Sequence, residues 1–312
     1  MTSKITIGLP TYNSEKTIKK TIDSILSQTY NEYILLISDN ASIDSTSMIC
    51  KEYAKNDKRI QYVQQKENIG WLDNFLFLLN QANSKYFVWI ASDDFWESTF
   101  LEKNINILDS STDIVGSISE VGIIGDYYHK FDLNKYDNII KKFYKKVRQH
   151  YLSLKFYGTC GTTYEKRISS CLKSSRYALF LYSVFHTDVL KKSVDFNIYP
   201  WDWGLVLIIL KNGNLHLINE VLIYRSPGGT SNTNSIELYR NNIANLSRIL
   251  FPKIPFTKWF IKNIGKKIFF QNIIFFLNLN LSSLTIILLD FLKYSKLSKS
   301  KKYLNKQKGL HY

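Results

Sequence analysis

Two adjacent carboxylates, Asp93 and Asp94, stand directly after an apolar run, Tyr86-Phe-Val-Trp-Ile-Ala91. Both carry charge at neutral pH, and acids this close repel unless a cation joins them. A hard divalent ion shared with phosphate oxygens meets that demand. The apolar run reads as a strand buried on both faces, as in a parallel sheet covered by helices. Its C-terminal end is where open α/β sheets bind ligands. The plain alternative is an acidic turn in which Asp94 caps the next helix.

The elements that must position this pair follow from the pattern upstream. Ile5 to Leu9 reads as a first strand, ended by Pro10-Thr-Tyr-Asn13, with Asn13 or Ser14 suited to cap the next helix. That helix carries Ile18, Ile22, Ile25 and Leu26 on one face. Tyr33 to Ser38 is a second strand, followed by the loop Asp39-Asn-Ala-Ser-Ile-Asp44 and a helix from Ser45 to Asn56. A short strand over Ile60 to Val63 leads through the turn Asn68-Ile-Gly70 into a helix marked by Leu72, Phe75, Leu76 and Leu79. After the Asp93-Asp94 strand comes a helix near Phe100 to Leu108. Strand and helix alternate four times, which predicts a doubly wound parallel sheet. In such a sheet the loops carrying Tyr12, Asn13, Asp39, Asp93 and Asp94 open onto one edge. No Gly-rich phosphate loop is present, so a metal is expected to hold any phosphates.

The second half predicts strands over Val115 to Gly125 and Leu215 to Tyr224, with a helix over Leu205 to Leu210 opened by Trp201-Asp202-Trp203. Residues 130–176 are rich in Lys, Arg and Tyr. His129, His150, His186 and His216 show no metal-ligand spacing and read as structural. Cys50, Cys160 and Cys171 are an odd, widely spaced set and read as reduced thiols. Met1-Thr-Ser-Lys leads straight into a strand and has no secretory-signal character, so a cytoplasmic location is expected.

The net charge of +15 is unevenly spread. Residues 251–312 hold 12 lysines and one acid, Asp290, leaving +4 for the first 250 residues. A basic tail suits nucleic acid or an anionic membrane surface. The aromatic and aliphatic content here, Phe256, Trp259, Phe260, Phe269, Phe270 and Ile273 to Leu277, favours the membrane, and no nucleic acid is expected. The run from Ile268 to Leu292 is about long enough to span a bilayer, but Gln271, Asn272, Asn278, Asn280 and Asp290 interrupt it. The expectation is of helices lying in the interface, with Lys262, Lys266, Lys267 and the terminal lysines on headgroups. Ordinary helices packed on a core, with a solvated basic end, are the alternative. The domain division expected is 1–235 for the sheet domain and 236–312 for a helical, basic and aromatic extension.

Four of these motifs, taken in order, resemble the family 2 glycosyltransferases of the GT-A fold. Pro10-Thr-Tyr-Asn13 is similar to the family's Pro-x-Tyr-Asn. Ser38-Asp39-Asn-Ala-Ser-Ile-Asp44 resembles its Asp-Asp-Gly-Ser-x-Asp loop, with Ser38 in place of the first acid and Asn-Ala at the Asp-Gly-like positions. Asn68-Ile-Gly70 matches Asn-x-Gly, and Ala91-Ser-Asp93-Asp94 falls at the Asp-x-Asp metal motif. The resemblance covers residues 4–110 well and 180–231 more loosely.

It implies that Pro10, Thr11 and Tyr12 line the base and ribose, and that Asp39 accepts a hydrogen bond from the base. Asn68 and Gly70 join the donor site. Asp93 and Asp94 contact the ribose and bind Mn²⁺ or Mg²⁺; Ala91 replaces an acid found in many relatives, which leaves open which of the pair is the metal ligand, with Asp94 slightly favoured. The family's catalytic acid falls near Trp201-Asp202-Trp203, which nominates Asp202 as the base of an inverting transfer; a helix cap flanked by core tryptophans is its structural alternative. Asp188 and Glu165 are weaker candidates. Arg225, in a closing Tyr-Arg segment followed by Gly228-Gly229-Thr-Ser231, is a phosphate contact or an ordinary surface arginine. The function implied is inverting, metal-dependent transfer of a sugar from a nucleoside diphosphate to a saccharide acceptor, lipid-linked if the tail meets the inner face of a membrane. A sugar nucleotidyltransferase and a non-enzymatic binding protein are the alternatives.

Overall fold

The structure is a computed structural model and describes residues 3–124, 132–137, scattered positions from 139 to 149, 156–174, 177–194, 201–226 and 253–281. The chain divides into two compact units, Met1–Tyr127 with Leu154–Gly228, and Tyr128–Ser153 with Gly229–Tyr312.

The first unit is built on one eight-stranded sheet. Its strands are β1 (Ile5–Thr11), β2 (Tyr33–Asp39), β3 (Ile60–Gln64), β4 (Tyr86–Trp89), β5 (Phe95–Trp96), β6 (Ile114–Ile123), β7 (Val184–His186) and β8 (Asn214–Arg225). Their order is β3-β2-β1-β4-β7-β6-β8-β5. The first four strands run parallel. Their crossovers are α1 (Ile18–Leu26), α2 (Thr46–Asn56) and α3 (Trp71–Gln81). β1 and β4 are buried at every residue, as expected of strands with helices on both faces. Gly8 is required here: a Cβ on it would stand 2.7 Å from the Phe87 ring on β4.

β7 pairs antiparallel with β4 and β6, while β8 runs parallel to β6. The two short strands, β5 and β7, are too brief to show a period in the sequence. β5 matters most. It pairs antiparallel with β8, Phe95 opposite Tyr224, and the two rings stack at 4.9 Å. That pairing brings Asp94, the residue before Phe95, to Arg225, the residue after Tyr224.

The remaining helices of this unit are α4 (Phe100–Ser110), α5 (Tyr164–Lys173), α6 (Thr187–Ser193) and α7 (Trp201–Ile209). Helix α1 buries Ile18, Ile22 and Ile25, as the spacing predicts. Its N-cap is Thr17, which corrects the expected Asn13 or Ser14. Those two are held by another element instead: Asn13 Oδ1 accepts the Ile43 N–H, and the Ser14 N–H donates to Thr46 Oγ1. Asn13 sits at φ 48°, in the left-handed region that Asn tolerates.

In the second unit, α8 (Ile254–Asn263), α9 (Lys266–Gln271) and helical residues 273–281 bury Phe256, Phe260, Ile264, Ile268, Phe276 and Leu279 together. The Phe260 and Phe276 rings lie 4.6 Å apart. The opposite side is apolar too. Ile273, Ile274, Leu277 and Leu281, spaced along one face of helical residues 273–281, are 37%, 71%, 56% and 62% exposed, and Phe270 near the end of α9 is 64% exposed. Lys258, Lys262, Lys266 and Lys267 are exposed beside them. Among the described residues no helix is long and apolar enough to cross a membrane. Asp290 and the terminal lysines lie outside the described residues, as do Gly228 to Ser231, His129 and His150.

Candidate active site

The edge at which β1, β2 and β4 end carries the polar residues singled out in the sequence. Thr11 and Asp39 are register partners on adjacent strands, so their positions are set by the sheet. Asp39 is fully buried. Its Oδ1 accepts the Ser42 N–H and its Oδ2 accepts the Tyr62 hydroxyl at 2.7 Å. Burial pushes the Tyr62 phenol above its ordinary range, which keeps it a donor. Pro10 is buried and Tyr12 is 46% exposed. Thr11 Oγ1 is buried and has no hydrogen-bond partner among the described residues.

Asn68 and Gly70 are pinned to this edge. Asn68 Oδ1 accepts from Asn40 Nδ2 and from the Gly70 N–H, while Asn40 Oδ1 accepts the Ile69 N–H. Gly70 holds φ 87° at the N-cap of α3, a conformation that favours glycine. Ala41 holds φ 59° in the loop after Asp39, at the Asp-Gly-like position of the motif.

The acidic pair is held by three elements. Thr21 Oγ1 on α1 donates to the Asp94 carbonyl. Beyond β8, the Ser226 N–H donates to Asp94 Oδ1, and Ser226 Oγ donates to the Asp93 carbonyl. Arg225 Nε stands 3.2 Å from Asp94 Oδ2. The guanidinium also lies over the Tyr182 ring, 4.8 Å from its centre. Asp94 is 3% exposed, and burial lifts its carboxyl to about 6, with Arg225 opposing the shift and Asp93 adding to it. Asp94 does not cap α4, whose N-cap is Thr99.

The two acids therefore differ. Asp94 spends both oxygens on Arg225 and Ser226. Asp93 is half-buried, and no hydrogen bond reaches its carboxylate among the described residues. The described residues hold no group of three or more His, Cys, Asp or Glu suited to a metal. One available carboxylate beside a second acid fits a divalent ion that draws its other ligands from phosphates and water.

Asp202 lies in the first turn of α7, with its Oδ1 accepting the Trp203 N–H. Trp201 is buried against Trp89, Phe75 and Trp71, which brings the start of α7 to the ends of β4 and of the β3–α3 turn. Tyr182 ties the halves together. Burial raises its phenol, Arg225 opposes, and Asp94, Asp202 and Asp93 each raise it further. All four charges thus lie within electrostatic reach of one hydroxyl. Sequence reasoning missed Tyr182, Tyr62 and Ser226, because each acts on a residue distant in the chain and lies in no motif, and it gave no task to Asn40, which lies in the Asp39 loop motif and holds the Asn68 turn. Asp188 ion-pairs with Lys192 at the surface, and Glu165 lies in the first turn of α5. His186 packs on Tyr86, and burial lowers both it and His216. Cys50, Cys160 and Cys171 are free thiols.

A mostly parallel sheet with a buried acid at the end of β2 and an acid pair after β4 is the GT-A architecture. The chain belongs to the family described as glycosyl transferase family 2, whose model matches residues 6–172. A similar relative is the glycosyltransferase GlyA of Streptococcus pneumoniae serotype 4, 33% identical over 147 residues, which are 44% of this chain and 20% of that protein. The UDP-Glc:α-D-GlcNAc-diphosphoundecaprenol β-1,3-glucosyltransferase WfgD of Escherichia coli is 25% identical over 216 residues, 69% of this chain and 73% of that one. An uncharacterized glycosyltransferase of Haemophilus influenzae is 32% identical over 132 residues. The chain spans a fifth of the pneumococcal relative and 41% of the Haemophilus one. Among solved structures, S. aureus TarS 1-349 in complex with UDP-GlcNAc matches with TM-score 0.54 at 16% identity, covering 76% of this chain and 64% of that one. The mannosyltransferase PcManGT of Pyrobaculum calidifontis, in complex with GDP-Man and Mn²⁺, matches with TM-score 0.53 at 14% identity, covering 97% and 80%. These two share the fold.

Proposed function

We propose that the protein is an inverting, metal-dependent glycosyltransferase that moves a sugar from a nucleoside diphosphate to a lipid-linked saccharide in glycan synthesis. The observation that carries this reading is the Asp94–Arg225 pair over the Tyr182 ring after β4, with Asp93 beside it and its carboxylate left without a hydrogen bond among the described residues. Asp39, fixed by Tyr62 and Ser42, accepts a hydrogen bond from the base, and the exposed Tyr12 ring lies against it. Thr11, Pro10, Asn68 and Gly70 shape the nucleoside pocket. Asp93 holds Mn²⁺ or Mg²⁺, with Asp94 as the buried acid that aims Arg225 at the diphosphate. When bound, the ion neutralises charge developing on the departing nucleoside diphosphate. Asp202 takes the proton of the acceptor hydroxyl as its oxygen bonds to the anomeric carbon and the bond to the diphosphate breaks, which inverts that carbon. A nucleotidyltransferase or a simple binding protein leaves Asp202 without a task.

The lipid-linked acceptor is suggested by the acceptor in the name of WfgD and by the second unit. There the exposed stripe of Phe270, Ile274, Leu277 and Leu281, with four exposed lysines, suits an anionic membrane surface at its cytoplasmic face.

Calorimetric titration of UDP, GDP and dTDP, with and without Mn²⁺, tests the donor site on wild type and Asp93→Ala. Binding of one nucleotide that needs the ion, and that the variant loses, is expected. A folded protein that binds none of the three overturns the reading.

A further inference from the structure

We infer that Trp71 is a stacking platform for the acceptor's sugar ring, an inference that rests on the transferase reading above. Trp71 opens α3 directly after Gly70 and is 54% exposed. A lone exposed aromatic needs no explanation, but Trp71 is the outer end of an aromatic column that starts in the core. Trp89 is fully buried on β4, with Trp201 6.2 Å from it and Phe75 5.9 Å from it. Trp71 rests on both, 5.8 Å from Trp201 and 6.1 Å from Phe75. The Phe75 contact is edge-on, at 82° between planes. The indole is thus held in place by packing while about half of it meets solvent. A ring so held loses little freedom when a ligand lies on it, which is what a recognition surface needs.

The chemistry of its partner follows from the ring. An indole face carries negative π density. A pyranose presents a face of weakly positive C–H bonds, so the two stack without a hydrogen bond, and hydroxyls at the rim stay free for specificity. Position selects which sugar. Trp201, on which Trp71 rests, opens α7, so Trp71 lies at the helical turn that carries the proposed base Asp202. Gly70, the residue before Trp71, is assigned to the nucleoside pocket with Asp39 and Tyr12, so Trp71 stands at the border between that pocket and the turn that carries the proposed base. The acceptor must stand beside the base, and among the described residues of this aromatic column Trp71 is the one that is exposed.

Saturation-transfer NMR on the full chain, with UDP and Mn²⁺ present, tests this with millimolar methyl glycosides of glucose, N-acetylglucosamine, galactose and rhamnose. At least one is expected to receive saturation, falling about fivefold in Trp71→Ala and surviving in Trp71→Phe, with UDP affinity within twofold of wild type. Equal signals in wild type and Trp71→Ala, or no signal from any glycoside, overturn the platform. A loss confined to UDP places the ring on the nucleobase and also overturns it. Protein that binds a nucleotide but no glycoside removes only the platform, whereas folded protein that binds none of UDP, GDP and dTDP removes the transferase reading as well. A thermal melt of both variants separates misfolding from lost contact.

Discussion

The strand-end site and the C-terminal helices are built from opposite materials. At the strand ends, polar side chains hold other polar side chains: Tyr62 and Ser42 hold Asp39, Asn40 holds the Asn68 turn, and Thr21 and Ser226 hold the acidic pair. In the helices around Phe256 to Leu281, rings pack on rings, and a second apolar face is left in water among lysines. A helix apolar on both faces belongs in a core or against lipid. The first region is preorganised for a small, polar, charged ligand. The second is shaped for a broad surface. On the proposed reading, the first unit holds the soluble donor and the second meets the lipid surroundings of the acceptor.

The sharpest way to break this contrast is at the base. Asp202→Asn is expected to lower turnover about 10²- to 10⁴-fold while nucleotide affinity stays put, as measured by sugar release and calorimetry. A variant with full turnover moves the base elsewhere. Stability should divide the same way. Phe87→Ala, in the packed sheet, is expected to cost about 3–5 kcal/mol in denaturant unfolding. Leu277→Ala, on the exposed stripe, should stay within about 0.5 kcal/mol. An equal cost at both sites would mean the stripe is covered by protein.

Ile274→Asp with Leu277→Asp sharpens the contrast further. Flotation with vesicles of anionic phospholipid should fall at least tenfold, nucleotide binding should not change, and neutral vesicles should bind poorly throughout. Dimerisation lost in place of flotation would make the stripe a protein interface.

Titration gives a smaller effect. Asp94 is lifted to about 6 in the fold, above its unfolded value. The folded chain therefore holds a proton that the unfolded chain releases between about pH 4 and 6. Stability from this group is fully present below that window and is lost as pH rises through it. The slope is at most about 1.4 kcal/mol per pH unit. Unfolding of Asp94→Asn across the window should lack that slope. Least of all, Tyr62→Phe removes one hydrogen bond from Asp39 and should weaken nucleotide binding about fivefold, or about 1 kcal/mol, with turnover at saturation unchanged.

Much of the first unit was legible because its strands and helices are long and periodic. β1 to β4, their crossovers and α4 lie within a residue or two of expectation. What the sequence hid was pairing at a distance. Nothing local to Phe95-Trp96 announces a strand, yet its two residues join Asp94 to Arg225 across 131 positions. The engagement of Asp94 with Arg225 and Ser226 likewise cannot be seen from one side of the pair. Asn13 and Ser14 looked like caps because their side chains suit that task, but Asn13 is bound to the Asp39 loop, and Ser14 to Thr46 and Ser92.

Thr11, Asp39 and Gln64 stand abreast on three neighbouring strands. Adjacent residues on a strand face opposite sides. Ser38 accordingly reaches Asn74 on α3 while Asp39 reaches Tyr62, which in turn meets Ser47 on α2. Deleting or inserting a single residue within β2 would exchange those two neighbours and turn the acid toward the wrong helix. The spelling of these strands can therefore drift, but their letter count cannot, and library designs should vary residues there and put insertions elsewhere.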